Sequence, residues 1–157
     1  MTAVLVTGMS GTGKSTVLAE LTRRGHRVVD TDHGGWIVPA PDGEPLWDEP
    51  RMRALLDGHG EDALFVAGCV ANQGRFADRF AAVVLLSLPE QVLLDRVATR
   101  TGNDFGKTAG ERDAIIADLH AVEPLLRRGA SDEIDTRLPL AQVADRLESI
   151  AGLAPSR

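Results

Sequence analysis

The sequence predicts an α/β domain: a five-stranded parallel sheet covered by helices on both faces, a three-layer sandwich. Three observations carry this expectation. Short apolar, β-branched runs alternate with amphipathic helical stretches along the chain, which requires parallel strands joined by helical crossovers. The run at 82–88 (AVVLLSL) is apolar apart from Ser87, as a strand covered on both faces should be. The first apolar run ends directly in a glycine-rich turn that opens a helix. Numbering the five strands along the chain, the expected order is 2-3-1-4-5, with the first strand central.

The elements follow in order. Residues 3–7 (AVLVT) form the first strand and 8–13 the glycine-rich turn. From Lys14 the spacing of Val17, Leu18 and Leu21 puts one apolar stripe on a helix that Gly25 closes. Residues 26–30 (HRVVD) form the second strand. The stretch 31–60 is rich in Gly and Pro and holds both tryptophans, Trp36 and Trp47. It reads as an irregular insert on the substrate side (33–60), with a short helix inside 49–56. Residues 63–68 and 82–88 form strands three and four, and helices are expected at about 89–100 and 111–128. A short fifth strand at 133–136 and a last helix at 140–150 complete the chain.

The length of 157 residues suits one domain over 1–157. The net charge of −6 gives no bulk attraction for nucleic acid, so none is expected as a partner. Cys69 is the single cysteine, which excludes an internal disulfide and a thiolate cluster. His26, His33, His59 and His120 do not fall at zinc-ligand spacings. No apolar run approaches a membrane span, and the N-terminus lacks a basic leader. The expected compartment is the cytoplasm, without a membrane partner.

Residues 8–15 (GMSGTGKS) fit G-x-x-x-x-G-K-S/T completely. Each required position has a physical task. The glycines let several backbone N–H groups point inward at phosphate oxygens. The following helix presents its positive end to the same anions. Lys14 places a point charge on the β- and γ-phosphates, and the Ser15 hydroxyl can ligate Mg²⁺. The expected ligands are therefore ATP and Mg²⁺. The nucleotide-binding candidates here are Gly8, Ser10, Gly11, Thr12, Gly13, Lys14, Ser15 and Thr16. Lys14 is also a catalytic candidate.

On this motif and the strand–helix alternation, the chain resembles the small P-loop kinases, which include nucleoside monophosphate kinases, shikimate kinase and gluconate kinase. The resemblance implies a P-loop NTPase fold with a short lid and a substrate insert. It also implies transfer of the γ-phosphoryl group of ATP to a hydroxyl or phosphate on a small molecule. A nucleoside monophosphate kinase is one alternative. A regulatory or NTP-hydrolysing protein without a small acceptor is another.

Asp30-Thr31-Asp32 ends the second strand, at the sheet edge where ligands of parallel sheets sit. Two carboxylates there can divide two tasks: holding Mg²⁺ through water, and taking a proton from, or orienting, the attacking hydroxyl. The resemblance to shikimate kinase assigns Asp30 to the metal and Asp32 to the acceptor and to catalysis. A solvated turn is the competing reading.

Arg96 and Arg100 lie four apart on one helix face, followed by the glycine-punctuated segment 101–110. This order resembles the lid of nucleoside monophosphate kinases. By that resemblance Arg96 stacks on adenine and Arg100 reaches the phosphates. Arg100 and Lys107 would then neutralise the transferring group on lid closure. All three are nucleotide-side candidates, and Arg100 is a catalytic one.

The family pattern fails after strand three. Residues 67–75 (AGCVANQGR) contain neither the triple glycine of shikimate kinases nor the acidic-Gly-Pro-Arg pattern of nucleotide kinases. No carboxylate ends that strand, so metal binding rests more on Asp30. Arg51, Arg53 and Arg75 are candidates for the acceptor. Asn72 and Gln73 either face the acceptor or belong to a polar loop, and the tryptophans either stack on a flat acceptor or pack the insert.

Overall fold

The computed structural model describes residues 2–58, 60–99 and 107–153. Strand β1 (Ala3–Thr7) leads through the glycine turn into helix α1 (Lys14–Arg23) and strand β2 (Arg27–Asp30). Next come a hairpin of β3 (Ile37–Pro39) and β4 (Pro45–Trp47), helix α2 (Glu49–Gly58) and strand β5 (Leu64–Ala67). A 3-10 helix (Gln73–Arg79) precedes β6 (Ala82–Ser87) and α3 (Glu90–Thr99). Helix α4 (Ala109–Gly129), β7 (Asp132–Asp135) and α5 (Leu140–Ile150) complete the domain. No helix among the described residues is long and apolar enough to cross a membrane.

The main sheet has the order β2-β5-β1-β6-β7, and every pairing in it is parallel. These five strands are the five expected ones, in the expected order 2-3-1-4-5. The numbering shifts because the insert contributes two more strands. The insert is therefore not irregular: β3 and β4 pair antiparallel, from Ile37 with Trp47 to Pro39 with Pro45, before α2 begins. The expected lid segment 101–110 also changes, because α4 begins at Ala109, capped by the Thr108 hydroxyl accepting from the Glu111 N–H at 3.2 Å. Arg100 and residues 101–106 lie outside the described residues.

Alternation along β1 builds the two inner layers. Val4 and Val6 face α1 and α5, where they meet Val17, Leu21, Val143 and Leu147. Ala3 and Leu5 face the opposite side, with Trp47, Met52, Leu56 and Phe76. The α1 turn closes on Gly25 at φ 89°, with the Gly25 N–H on the Thr22 carbonyl and the His26 N–H on the Leu21 carbonyl. Beneath it the fully buried Glu148 carboxylate of α5 accepts from Arg24 and meets His26 Nε2 at 2.6 Å, tying the two helices together.

Candidate active site

The carboxyl ends of β1, β2 and β5 converge on one edge of the sheet, and the glycine turn lies across it. Gly8 sits at φ 152°, and a Cβ there would stand 2.5 Å from the Leu86 carbonyl oxygen, so no side chain fits. The turn is tied internally by Thr12, whose N–H and hydroxyl both donate to the Met9 carbonyl, at 3.2 and 2.7 Å. Gly13 caps α1 at φ 102°, which leaves the first N–H groups of the helix directed at the turn. Gly11 rests on α3, where its Cβ would meet Leu93 and Val97. Ser10, Ser15 and Thr16 are exposed.

Lys14 Nζ donates to the Gly8 carbonyl at 2.6 Å and to the Met9 carbonyl at 3.1 Å. The ammonium is thus held over the turn. Burial pulls its pKa below the ordinary lysine value, while Cys69, Asp32 and Asp30 oppose that shift. The Ser15 hydroxyl donates to Asp30 Oδ2 at 2.7 Å. This pair offers two hard oxygen ligands of the kind Mg²⁺ takes beside phosphate oxygens, so these residues fit that ion. The other oxygen, Asp30 Oδ1, accepts from the Asp32 N–H at 3.1 Å, which fixes the turn that carries Asp32 into solvent.

Between the two aspartates, Thr31 is completely buried. Its N–H and its hydroxyl both donate to the Ala67 carbonyl, at 3.0 and 2.7 Å. The hydroxyl also accepts from Trp47 Nε1 at 2.9 Å. Asn72 holds the same tryptophan from behind, accepting from its N–H at 2.9 Å and donating to its carbonyl at 3.0 Å. Gly68 makes room for this joint, since a Cβ there would lie 2.5 Å from the Thr31 hydroxyl and 2.9 Å from the Trp47 ring. Trp47 is core, edge-on to Phe76, and Asn72 is buried against it. Gln73 reaches the end of β1, donating to the Thr7 hydroxyl at 3.1 Å and accepting from the Val70 N–H at 3.0 Å.

On the other side of the turn, Arg96 donates to the Thr136 carbonyl at 3.0 Å, and the Thr136 hydroxyl donates to the Thr12 carbonyl at 2.8 Å. A cavity of about 180 Å³ lies here, with Gly13, Thr16, Arg96 and Leu138 in its walls. Lys107 is exposed at the foot of α4. In the insert, the Arg51 guanidinium lies 4.0 Å from the Trp36 ring centre and donates to the Gly34 carbonyl at 2.7 Å. Arg53 and Arg75 both pair with Glu49, at 3.7 and 3.2 Å.

Thr31, Thr136 and Gly68 were not singled out by sequence reasoning. Only Gly68, directly after a strand, left a local signal. The hydroxyls of Thr31 and Thr136 act on partners 36 and 124 residues away.

A family model described as "AAA domain" matches residues 4–118. A protein of Archaeoglobus fulgidus described as "Putative adenylate kinase" is 30% identical over 152 residues, covering 94% of this chain and 80% of that one. HPr kinase/phosphorylase of Streptococcus mutans is 38% identical over 103 residues, 64% of this chain, and the match spans about a third of that longer protein (32%). Shikimate kinase from Bacteroides thetaiotaomicron superposes with a TM-score of 0.65 at 20% identity, over 97% of this chain and 99% of that one, a likeness of fold. The chain belongs to the family of that AAA-domain model and to the P-loop kinases.

Proposed function

We propose that the chain transfers the γ-phosphoryl group of ATP to a hydroxyl on a small molecule, in the cytoplasm. The observation that supports this most is the Ser15–Asp30 hydrogen bond of 2.7 Å. It sets a hydroxyl and a carboxylate side by side at the mouth of the phosphate-binding turn, with Asp32 held one turn further out. In this reading the turn from Gly8 to Thr16 grips the triphosphate, and Lys14 places its charge on the β- and γ-phosphates. Ser15 and Asp30 hold Mg²⁺, which when bound draws charge from the phosphate oxygens. Asp32 takes the proton of the acceptor hydroxyl as its oxygen forms the new bond to phosphorus and the bond to ADP breaks. Arg96 serves the base, while Arg100 and Lys107 neutralise the transferring group.

Arg51, Arg53 and Arg75 are the acceptor-side cations of this reading. Each already has an internal partner, in Trp36 and Gly34 or in Glu49, which occupies part of its hydrogen-bonding edge. Asp32 favours a hydroxyl over a phosphate acceptor, because a hydroxyl has a proton to give up and a phosphate oxygen is already ionised. A nucleoside monophosphate acceptor is the second reading, supported by the name of the Archaeoglobus fulgidus relative. The test is ADP release with Mg²⁺ and ATP across alcohols, sugars, hydroxy acids, nucleosides and nucleotides. Acceptor-dependent ADP release with an alcohol supports the leading reading. Release with AMP alone selects the second, and acceptor-independent hydrolysis alone refutes both.

A further inference from the structure

Beneath α4 lies a cavity of about 540 Å³, large enough for a small ligand. Its floor is the sheet itself, through Leu5 and Val83. One wall is the segment after β5, with Val70 and Gly74. The other is α4, with Val122, Leu125 and Leu126. Its inner end reaches Met9, whose carbonyl accepts from Lys14 Nζ at 3.1 Å, and Gln73, which is bonded to Thr7 at the root of the phosphate-binding turn. The apolar space therefore runs up to the place where phosphoryl transfer is proposed.

Two features distinguish this cavity from a packing gap. Helix α4 has 21 residues but buries only Leu119, and Leu125 is 59% exposed at the cavity wall. The helix thus keeps apolar side chains over the sheet without filling the space between. The charged side chains in the lining are Glu44 and Asp118, both carboxylates, and no cation lines it among the described residues. An anionic ligand would be repelled there, whereas a neutral or cationic one would not.

We propose that this cavity seats the body of the phosphoryl acceptor, and that the acceptor is an alcohol with an apolar body, neutral or carrying an amine, not a polyhydroxy acid or a nucleotide. The inference rests on the kinase reading above. The hydroxyl end points toward Met9 and Asp32, and any amine toward Glu44 and Asp118. Transfer then joins the alcohol oxygen to the γ-phosphorus, releases ADP and leaves the hydroxyl proton on Asp32.

The test is calorimetric titration of the full chain with Mg²⁺ and a nonhydrolysable ATP analogue, against a panel of neutral and amino alcohols. The panel includes 2-naphthylethanol and phenylethanolamine, with gluconate and AMP as the polar set. Gly74→Leu fills the cavity from one wall, where a Cβ meets no atom within 4 Å, and Leu125→Asp adds a carboxylate from the other. At least one alcohol should bind; Gly74→Leu should weaken it by about tenfold or more, and Leu125→Asp should do the same to a neutral alcohol, while the analogue binds as before. Binding of gluconate or AMP in place of every alcohol overturns the proposal. So does an alcohol that both variants bind as tightly as the parent. Failure of the parent to bind the ATP analogue would instead remove the kinase reading, and the proposal with it.

Discussion

Thr31→Val tests the joint that holds the two aspartates apart. Valine keeps the shape of threonine and removes only the hydroxyl. Two hydrogen bonds disappear, the 2.7 Å bond to the Ala67 carbonyl and the 2.9 Å bond from Trp47 Nε1. The Ala67 carbonyl keeps the Thr31 N–H at 3.0 Å, so the larger cost is the indole N–H left without an acceptor in a fully buried place. An orphaned buried donor costs about 1–3 kcal/mol and a lost bond about 1 kcal/mol, so the variant should lose about 2–4 kcal/mol. Trp47→Phe removes the donor, and in that background Thr31→Val should cost only about 1 kcal/mol, about 1–3 kcal/mol less. Urea melts of the parent, both single variants and the double variant give this coupling directly. Additivity within a few tenths of a kcal/mol, or a loss from Thr31→Val below about 0.5 kcal/mol, would refute the joint.

Asp32→Asn should reduce acceptor turnover by about 10²–10⁴-fold with near-parental ATP affinity, measured by a coupled ADP assay beside a nucleotide titration. Asp30→Asn should instead raise the Mg²⁺ concentration needed for half-maximal binding, and the reverse pattern would exchange the two roles. Glu20 accepts from Arg23 and Arg24, which lowers its pKa to about 2 from an ordinary value of 4.5. A depressed carboxylate pKa adds stability above about pH 4.5 that fades as pH falls toward 2. Glu20→Gln should therefore lower the melting temperature at pH 7 and much less at pH 2; an equal loss at both would mean that the ion pairs do not contribute.

Much of the fold was legible because its signals are local. The parallel sheet follows from β-branched runs broken by helical spacing, and the phosphate-binding turn from four fixed positions in a stretch of eight. The insert was not legible, because β3 and β4 are three residues each and meet at Pro39 and Pro45, with no alternation to read. Asn72 and Gln73 read as either acceptor-facing or loop residues, yet their side chains face inward and satisfy buried backbone and Thr7. That role depends on Trp47 arriving from 25 residues earlier. Arg96 stands beside the phosphate-binding turn through the Thr136 carbonyl, 40 residues away, which no helical spacing reveals. The acceptor side was least legible. Arg51, Arg53 and Arg75 stand out as cations in the sequence, but their partners Trp36 and Glu49 appear only once α2 and the hairpin are folded.

The central claim is that the turn from Gly8 to Ser15 binds the triphosphate through Lys14. Titration of a nonhydrolysable ATP analogue with Mg²⁺ into the parent and Lys14→Ala, with thermal unfolding as a check on the fold, tests it most directly. Among the described residues Lys14 donates only to the carbonyls of Gly8 and Met9, so its loss should leave the domain folded. Removing one partner of a hydrogen-bonded charge pair costs about 2–5 kcal/mol, so the account predicts affinity weaker by at least about thirtyfold. A folded Lys14→Ala variant that binds the analogue as tightly as the parent would contradict it.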